Sequence, residues 1–363
     1  MAAQMLMVGF RGTDVSDDDP IVGHIRSGAV GNVLLFERDL TADGGSDRNI
    51  RSPEQVKALI RTLKAAVPTA IPLWVAIDQE GGRVQRLRPN RGFQENYPSA
   101  QTLGQGSVDE THAVAGRMGR ELADLGIDMD FAPVVDVNVD PLSPAIGKIG
   151  RSFGADPERV ARHGMAFGDG LERTGILPCL KHFPGHGSAR ADTHNGAADV
   201  SDTWRSIELV PYRRAFAAGW SGAVMTSHVF HASLDSKYPA SLSRTITTEL
   251  LRGILGWSGL VVTDDLHMGA VTEHYSIEET IRLAVLAGAD ILIFSNNAPG
   301  RTYDPDFPVR AHRTLISLVR DGVISEERMF ESWCRITRAK EEWQRLRERM
   351  LRHGRSPKSI RSS

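Results

Sequence analysis

The sequence of 363 residues has little cysteine, few aromatic side chains and almost no net charge. Its two cysteines, Cys179 and Cys334, lie far apart in apolar surroundings, which indicates two thiols in a reducing compartment rather than a disulfide. A net charge of -2 provides no overall field that would favour nucleic acid or a membrane surface. No apolar run reaches the roughly 18 residues of a membrane span, and the start, MAAQMLMVGF, lacks the features of a secretory signal. We therefore expect a cytoplasmic protein that binds neither nucleic acid nor membranes.

Eight short apolar runs, each bounded by turn residues, predict buried parallel strands. They are Met5–Phe10, Asn32–Phe36, Leu73–Asp78, Asp128–Val134, Ile176–His182, Ala223–His228, Leu260–Asp264 and Ile291–Ser295. Segments of helical period between them predict helices at Pro53–Ala66, Glu110–Leu125, Pro157–Thr174, Ile207–Ala218, Ile246–Leu255 and Ile277–Ala287. This alternation predicts a single-domain (β/α)8 TIM-type barrel over residues 1–343, followed by a basic helix end and a disordered tail over 344–363. A doubly wound open sheet is the alternative.

Polar residues stand at the carboxyl ends of five predicted strands, which is where barrel enzymes carry their catalytic groups. These strand ends are Asp78, Lys181–His182, His228, Asp264–Asp265 and Ser295–Asn296–Asn297. We expect them to converge on one polar pocket at one mouth of the barrel. Asp78 and Asp265 could instead cap the helices that follow, because Asp is a favoured N-cap residue. His228 could equally be a hydrogen-bonded core histidine.

The segment KHFPGHGSARADTHNG, residues 181–196, combines three histidines and a carboxylate with a Gly-rich chain that has neither helical nor strand period. The types of side chain suit zinc, so a metal-dependent barrel hydrolase is one hypothesis, with ligands His182, His186, Asp192 and His194. Against it, His182 ends a strand while the other three lie in the loop, and no paired His-x-His occurs on a strand.

Four motifs carry a resemblance to a known family. They are IDQEGGRVQR at 77–86, GRSFG at 150–154, KHFPGHG at 181–187 with DTH at 192–194, and TDDLHM at 263–268. In this order and spacing the sequence resembles glycoside hydrolase family 3, above all its single-domain bacterial β-N-acetylhexosaminidases of the NagZ type. The likeness runs from about Gly9 to about Asn297. It implies a retaining exo-β-N-acetylglucosaminidase that releases terminal N-acetylglucosamine from peptidoglycan fragments, without a metal or any other cofactor.

The resemblance also implies roles for individual residues. Asp264 corresponds to the nucleophile, His194 to the acid/base, and Asp192 to the carboxylate that pairs with that histidine. The residues that hold the sugar hydroxyls correspond here to Asp78, Arg86, Arg151, Lys181 and His182. A histidine suits the acid/base role because its ordinary pKa near 6.5 lets it give and take a proton at neutral pH. Asp192 can fix its tautomer.

Three positions depart from the family pattern, and all three leave the catalytic set intact. The loop Glu37–Ser52 is longer than the usual short link, Ser188 stands where Asp is common, and Thr193 replaces the usual Ser. These differences bear on the leaving-group side of the substrate, for which the resemblance implies N-acetylglucosaminyl-anhydromuramyl-type fragments. It also implies a monomeric enzyme whose partner is this small carbohydrate.

Other functions remain open at this stage. Within the family, a β-glucosidase, a β-xylosidase or a glycoside phosphorylase is the alternative, because no residue that we identify reads the acetamido group. Outside it stand the metal-dependent hydrolase and a sugar-binding barrel without activity. The latter would predict loss of Asp264 or His194, and both residues are present.

Overall fold

The structure is a computed structural model that describes residues 1–45, 47–193 and 196–353. His194, the acid/base expected from the family resemblance, lies outside the described residues, as do Ser46, Asn195 and residues 354–363. The final helix crosses residue 343, where we expected the barrel domain to end, and continues to His353. The rest of the expected tail lies outside the described residues.

Eight parallel strands of the described chain close into a barrel, which confirms the predicted fold and excludes the open sheet. With the two strands of a separate small sheet, the described strands are Leu6–Gly9 (β1), Asn32–Leu34 (β2), Trp74–Ile77 (β3), Met129–Asp130 (β4), Leu177–Phe183 (β5), Ala198–Asp199 (β6), Ala223–Thr226 (β7), Val229–Phe230 (β8), Val261–Asp265 (β9) and Ile291–Phe294 (β10). The order around the barrel is β1-β10-β9-β7-β5-β4-β3-β2, and β6 pairs separately with β8. The barrel strands are buried except at the end of β9, because both of their faces are covered.

The helices surround the barrel. They span Pro20–Arg26 (α1), Pro53–Ala65 (α2), Ala100–Gln105 (α3), Val108–Leu125 (α4), Pro157–Glu172 (α5), Val210–Ala217 (α6), Gly269–Thr272 (α7), Ile277–Ala287 (α8), Phe307–Arg320 (α9) and Glu326–His353 (α10). Side chains cap the starts of two of these helices: the Ser52 side chain accepts the Gln55 N–H, and Ser276 forms a capping box with Glu279.

One predicted helix differs in its geometry. The segment expected as an α-helix at Ile246–Leu255 forms instead a π-helical stretch over Thr245–Ile254. Two of its threonines bond outside the helix, since the Thr247 hydroxyl donates to the Ala240 carbonyl and the Thr248 hydroxyl donates to the Ala287 carbonyl. β-Branched residues also have low helix propensity, so contacts with neighbouring segments outweigh the preference of this segment for a regular α-helix.

Lys340 of α10 lies at the amino-terminal mouth of the barrel and is buried, with 1% of its surface exposed. Its ammonium group donates to Gln4 Oε1 at 2.7 Å, to the Gly31 carbonyl at 3.1 Å and to the Pro72 carbonyl at 2.7 Å. These acceptors stand just before β1, β2 and β3, so one side chain ties three strand starts together.

The two cysteines are free thiols in this structure, with Cys179 buried in β5 and Cys334 half-buried in α10. None of the described helices combines the length and the apolar character needed to cross a membrane.

Candidate active site

The barrel brings the predicted strand-end residues to one mouth. Asp78 directly follows β3, Lys181 and His182 lie near the end of β5, and Asp264 lies near the end of β9. Because the strands are parallel, all their carboxyl ends face the same side. Four steps around the ring of eight separate β3 from β9, so Asp78 and Asp264 stand on opposite sides of the mouth.

Lys181 is the centre of a buried ion cluster. Its Nζ lies 2.8 Å from Asp78 Oδ1 and 2.6 Å from Glu80 Oε1, and its side chain is 2% exposed. Burial alone would lower the pKa of Lys181, but the carboxylates of Asp78 and Glu80 outweigh it and raise that pKa. Burial would likewise raise the pKa of Asp78, whereas Lys181 and Arg86 lower it. Both groups are therefore charged at neutral pH.

Glu80 joins this cluster to Arg151 through a bidentate ion pair. Arg151 Nη2 lies 2.7 Å from Glu80 Oε1, and Arg151 Nε lies 2.8 Å from Oε2. Such bidentate pairing fixes the plane of the guanidinium group. We did not predict a role for Glu80, although it stands in the IDQEGG motif two residues after Asp78.

His182 is held between two partners. Its Nδ1 lies 2.7 Å from Asp136 Oδ2, and its Nε2 lies 3.2 Å from Arg151 Nη2. Because a guanidinium can only donate, Nε2 accepts and the proton stands on Nδ1. Asp136 is fully buried, and although burial would raise its pKa, the neighbouring His182 contributes most to lowering it. Sequence reasoning missed Asp136, which follows the fourth predicted strand by two residues.

Arg86 reaches the same pocket from the loop after β3. Its Nη2 lies 3.5 Å from Asp78 Oδ2, and its guanidinium carbon lies 5.9 Å from the centre of the Phe36 ring. The structure thus brings all five predicted sugar-binding residues together, linked by direct contacts or through Glu80: Asp78, Arg86, Arg151, Lys181 and His182.

The carboxylates of β9 have separate surroundings. Asp264 is half-buried, and its Oδ1 accepts the N–H of Asp265 at 2.8 Å. Asp265 Oδ1 accepts the N–H groups of His267 at 3.0 Å and Ser295 at 2.8 Å, which joins β9 to the loop after β10. Asp265 therefore stabilises backbone, which leaves Asp264 as the better candidate for chemistry.

His228 is buried, and both its ring nitrogens take part in contacts. Nε2 donates to the Asp265 carbonyl at 2.8 Å, so Nδ1 accepts from the Ser241 hydroxyl at 2.7 Å. This arrangement agrees with the interpretation of His228 as a hydrogen-bonded core histidine.

The Gly-rich loop after β5 is fixed at its base by Glu208, a buried residue that sequence reasoning missed. Glu208 Oε2 accepts the Gly187 N–H at 2.9 Å and Oε1 accepts the Ser188 hydroxyl at 2.7 Å. Burial raises the pKa of Glu208 to about 8. Gly187 is needed here because a β-carbon would lie 1.7 Å from the Val137 carbonyl oxygen. Asp192 follows in the same loop and is half-buried, while its expected partner lies outside the described residues.

His186 of the same loop is buried beside His182, with ring centres 5.8 Å apart. Burial lowers the pKa of His186 to about 4, so the ring is neutral at pH 7. Over residues 1–45, 47–193 and 196–353, His, Cys, Asp and Glu side chains form no group of three or more that is placed to hold a metal ion.

A cleft of about 820 Å³ opens beside the pocket. Arg86 and Asp265 line it on the side of the pocket, and the loops after β2, β9 and β10 form its other walls. Charged residues contributed by these loops and by the loop after β3 include Arg38, Arg88, Glu273 and Arg301. The cleft is large enough for a sugar-sized group that extends out of the pocket.

A closed barrel with a buried, charged pocket at its carboxyl-terminal mouth defines a barrel enzyme. Residues 2–339 match the profile described as the glycosyl hydrolase family 3 N terminal domain, and the chain belongs to that family. This confirms the resemblance carried by the four motifs.

Named relatives agree with this assignment. A beta-hexosaminidase from Tolumonas auensis is 36% identical over 300 residues, which cover 81% of this chain and 84% of that protein. The structure of a beta-N-acetylhexosaminidase from Beutenbergia cavernae aligns with a TM-score of 0.81 at 30% identity, over 94% of this chain and 97% of that one. A family 3 beta-N-acetylglucosaminidase from a Paenibacillus species aligns with a TM-score of 0.82 at 34% identity. That alignment covers 100% of this chain but only 64% of the Paenibacillus protein.

Proposed function

We propose that this chain is a retaining exo-β-N-acetylglucosaminidase that forms a covalent glycosyl-enzyme. The observation that carries the proposal is the ion cluster of Asp78, Lys181 and Arg151, with Asp264 across the same mouth. A nucleophile on one side of a pocket and a dense set of donors and acceptors on the other suits a pyranose ring held by its hydroxyl groups. The names of the relatives support the choice of an N-acetylated sugar.

The reaction would proceed in two displacements. The Asp264 carboxylate attacks the anomeric carbon while the bond to the leaving oxygen breaks, and that oxygen takes a proton from His194. An ester between Asp264 and the sugar results. His194 then removes a proton from water, which attacks the anomeric carbon and releases the Asp264 carboxylate with net retention. Asp192 would hold the imidazole in the right tautomer and stabilise its protonated form.

The pocket residues would position the sugar for this attack. Asp78 accepts from hydroxyl groups, since Lys181 and Arg86 lower its pKa and keep it ionised. Lys181 and Arg151 donate, and Glu80 fixes both of them. Asp136 and Arg151 fix the ring of His182, so this wall of the pocket is preorganised before substrate arrives.

The substrate class that we propose is N-acetylglucosaminyl-anhydromuramyl-type fragments of peptidoglycan, hydrolysed by a monomer in the cytoplasm. The open cleft beside the pocket supports a leaving group larger than a simple alcohol. The two unpaired thiols support a reducing compartment.

A panel of p-nitrophenyl glycosides tests the activity. We expect the highest kcat/KM for the β-N-acetylglucosaminide, unchanged activity after treatment with a chelator, and free N-acetylglucosamine as product in phosphate buffer. A preference for the glucoside or xyloside would favour the alternative within the family. Formation of a sugar 1-phosphate would identify a phosphorylase, and loss of activity on chelation would favour the metal-dependent hydrolase.

A further inference from the structure

The long loop after β2, residues 37–52, is described over 37–45 and 47–52, and these parts are docked on the loop that follows β10. Asn297 Nδ2 donates to the Arg38 carbonyl at 3.0 Å, and the Ala42 N–H donates to the Arg301 carbonyl at 2.8 Å. These two hydrogen bonds therefore join the loops at the backbone carbonyls of Arg38 and Arg301.

Arg48 fixes this arrangement from beneath. Its side chain is fully buried, with Nη1 3.1 Å from Asp39 Oδ1 and Nη2 donating to the Asn296 carbonyl at 2.7 Å. The Tyr303 ring centre lies 5.1 Å from its guanidinium carbon. A buried guanidinium needs such partners, so the loop has one preferred position on the barrel. The wall that the loop forms is thereby a defined surface.

The arginines that line the cleft beside the sugar pocket differ in whether they form ion pairs with carboxylates. Arg88 Nε is paired with Glu37 Oε2 at 3.0 Å, and Arg86 is engaged at the sugar pocket. Arg38 and Arg301 are both exposed, and neither forms an ion pair with a carboxylate of the described residues. Arg301 bonds only the Thr272 hydroxyl, at 2.9 Å, among described side chains. Two guanidinium groups are thus available to a ligand.

Two carboxylates also line the cleft and limit where an anion can bind. Asp265 is already engaged by the backbone N–H groups of His267 and Ser295. Glu273 is exposed and would repel an anion, so we expect an anionic group to contact Arg38 and Arg301 rather than Glu273.

We propose that Arg38 and Arg301 determine specificity for a leaving group that carries a fixed carboxylate, and that the 37–52 loop places Arg38 for this purpose. The proposal rests on the proposed glycosidase function, because it concerns the part of the substrate beyond the scissile bond. A guanidinium fork matches a carboxylate in shape and charge. The cleft adjoins Arg86 and Asp265, so a leaving group that emerges from the sugar pocket enters it.

The test compares two disaccharides of equal shape: β-1,4-linked N-acetylglucosaminyl-N-acetylmuramic acid and the methyl ester of its lactyl carboxylate. We expect the native chain to show a higher kcat/KM for the acid. Arg38→Ala and Arg301→Ala should each reduce the acid-to-ester ratio about tenfold, the effect of one charge-assisted hydrogen bond. Arg38→Lys should retain part of the preference, and added salt should weaken it in the native chain.

The matched control is Arg120→Ala, which removes the same charge from an exposed position on α4 and should leave the ratio unchanged. p-Nitrophenyl β-N-acetylglucosaminide, which has no carboxylate, tests the glycosidase activity of the native chain separately from the acid-to-ester ratio. If the native chain does not hydrolyse this compound, the proposed function fails. If it does, but the acid-to-ester ratio is near one or survives both alanine variants, the specificity proposal is wrong. If the acid-to-ester ratio is near one and the chain forms a sugar 1-phosphate from inorganic phosphate, the two arginines would instead bind a free anion.

Discussion

Asp264 is the single residue on which the proposed chemistry depends most. Asp264→Ala should fold and lose several orders of magnitude in kcat, because the glycosyl-enzyme can no longer form. A 2-fluoro or 5-fluoro glycoside should trap that intermediate, and peptide mass spectrometry should locate the label on Asp264. Asp265→Asn is the matched control, since an amide oxygen can still accept the N–H groups of His267 and Ser295. A label on Asp265 would show that the wrong carboxylate was chosen.

His194 should act once as an acid and once as a base, and leaving groups of different basicity separate the two tasks. Dinitrophenolate leaves without protonation, so His194→Ala should form the glycosyl-enzyme readily from the dinitrophenyl glycoside. Turnover should then stop at deglycosylation, which gives a burst of one equivalent per site. Natural disaccharides should hardly react at all.

Azide supplies the check on this assignment, because it attacks without a general base. It should restore turnover of His194→Ala and yield the β-glycosyl azide. Asp192→Ala should show a milder form of the same defect, since the imidazole remains but is poorly oriented. Equal loss of activity on every leaving group, with no rescue by azide, would remove His194 from the acid/base role.

Among structural elements, the Gly-rich loop depends on the buried carboxyl group of Glu208. Burial raises the pKa of Glu208 from its ordinary 4.5 to about 8, so the folded state keeps a proton that the unfolded state loses. Stability due to this group should therefore fall as pH rises from about 4.5 to about 8 and change little above that.

Glu208→Gln tests this linkage, because a neutral amide does not titrate, can accept the Gly187 N–H through its oxygen and can donate to the Ser188 hydroxyl oxygen through its NH2 group. Its free energy of unfolding, measured in urea, should decline less with pH over this interval than that of the native chain. Glu208→Ala should instead lose about 1–3 kcal/mol at low pH, since the Gly187 N–H and the Ser188 hydroxyl lose their acceptor, and this loss should shrink as pH rises towards 8. An unchanged pH dependence in Glu208→Gln would contradict the assignment.

The sequence predicted those site residues that follow a local rule and missed those that act through distant partners. Asp78, Lys181 and His182 stand at strand ends, and a barrel converts that position into a shared mouth. Asp136 bonds a residue 46 positions away, and Glu208 bonds residues 20 and 21 positions away. No pattern in a single sequence indicates which buried carboxylate meets which loop, so these contacts needed the structure.

At the scale of the whole molecule, we expect a residue that stabilises the fold, Lys340, and the residues that carry out the reaction to act at opposite mouths of the barrel. Lys340→Met should lower the free energy of unfolding by about 1–3 kcal/mol, because the acceptors near β1, β2 and β3 lose a buried donor. The kcat and KM values should not change, since the site lies at the other end. Lys57→Met, at an exposed position of α2, is the control and should affect neither quantity. A reduced kcat in Lys340→Met would argue against this separation.

The fold itself was predictable because eight buried strands alternate with amphipathic helices at a regular spacing. The details that escaped prediction are those where tertiary contacts override local preference. At Thr245–Ile254, hydroxyl groups that bond outside the helix accompany a π-helical stretch. The pairing of Arg347 in α10 with Asp128 just before β4 is likewise a tertiary contact that no local pattern indicates.

Because the 37–52 loop is docked on the barrel and is not part of its strands, catalysis and leaving-group specificity can change independently in evolution. Asp264, Lys181 and His182 are carried by strands, whose hydrogen-bonded ladder tolerates little change. Arg38 is carried by a loop whose length can vary without disturbing that ladder, provided that a residue such as Arg48 anchors it. Transplanting this loop into a relative with a short link should therefore transfer the proposed preference for charged leaving groups. The catalytic residues of the recipient should be unaffected.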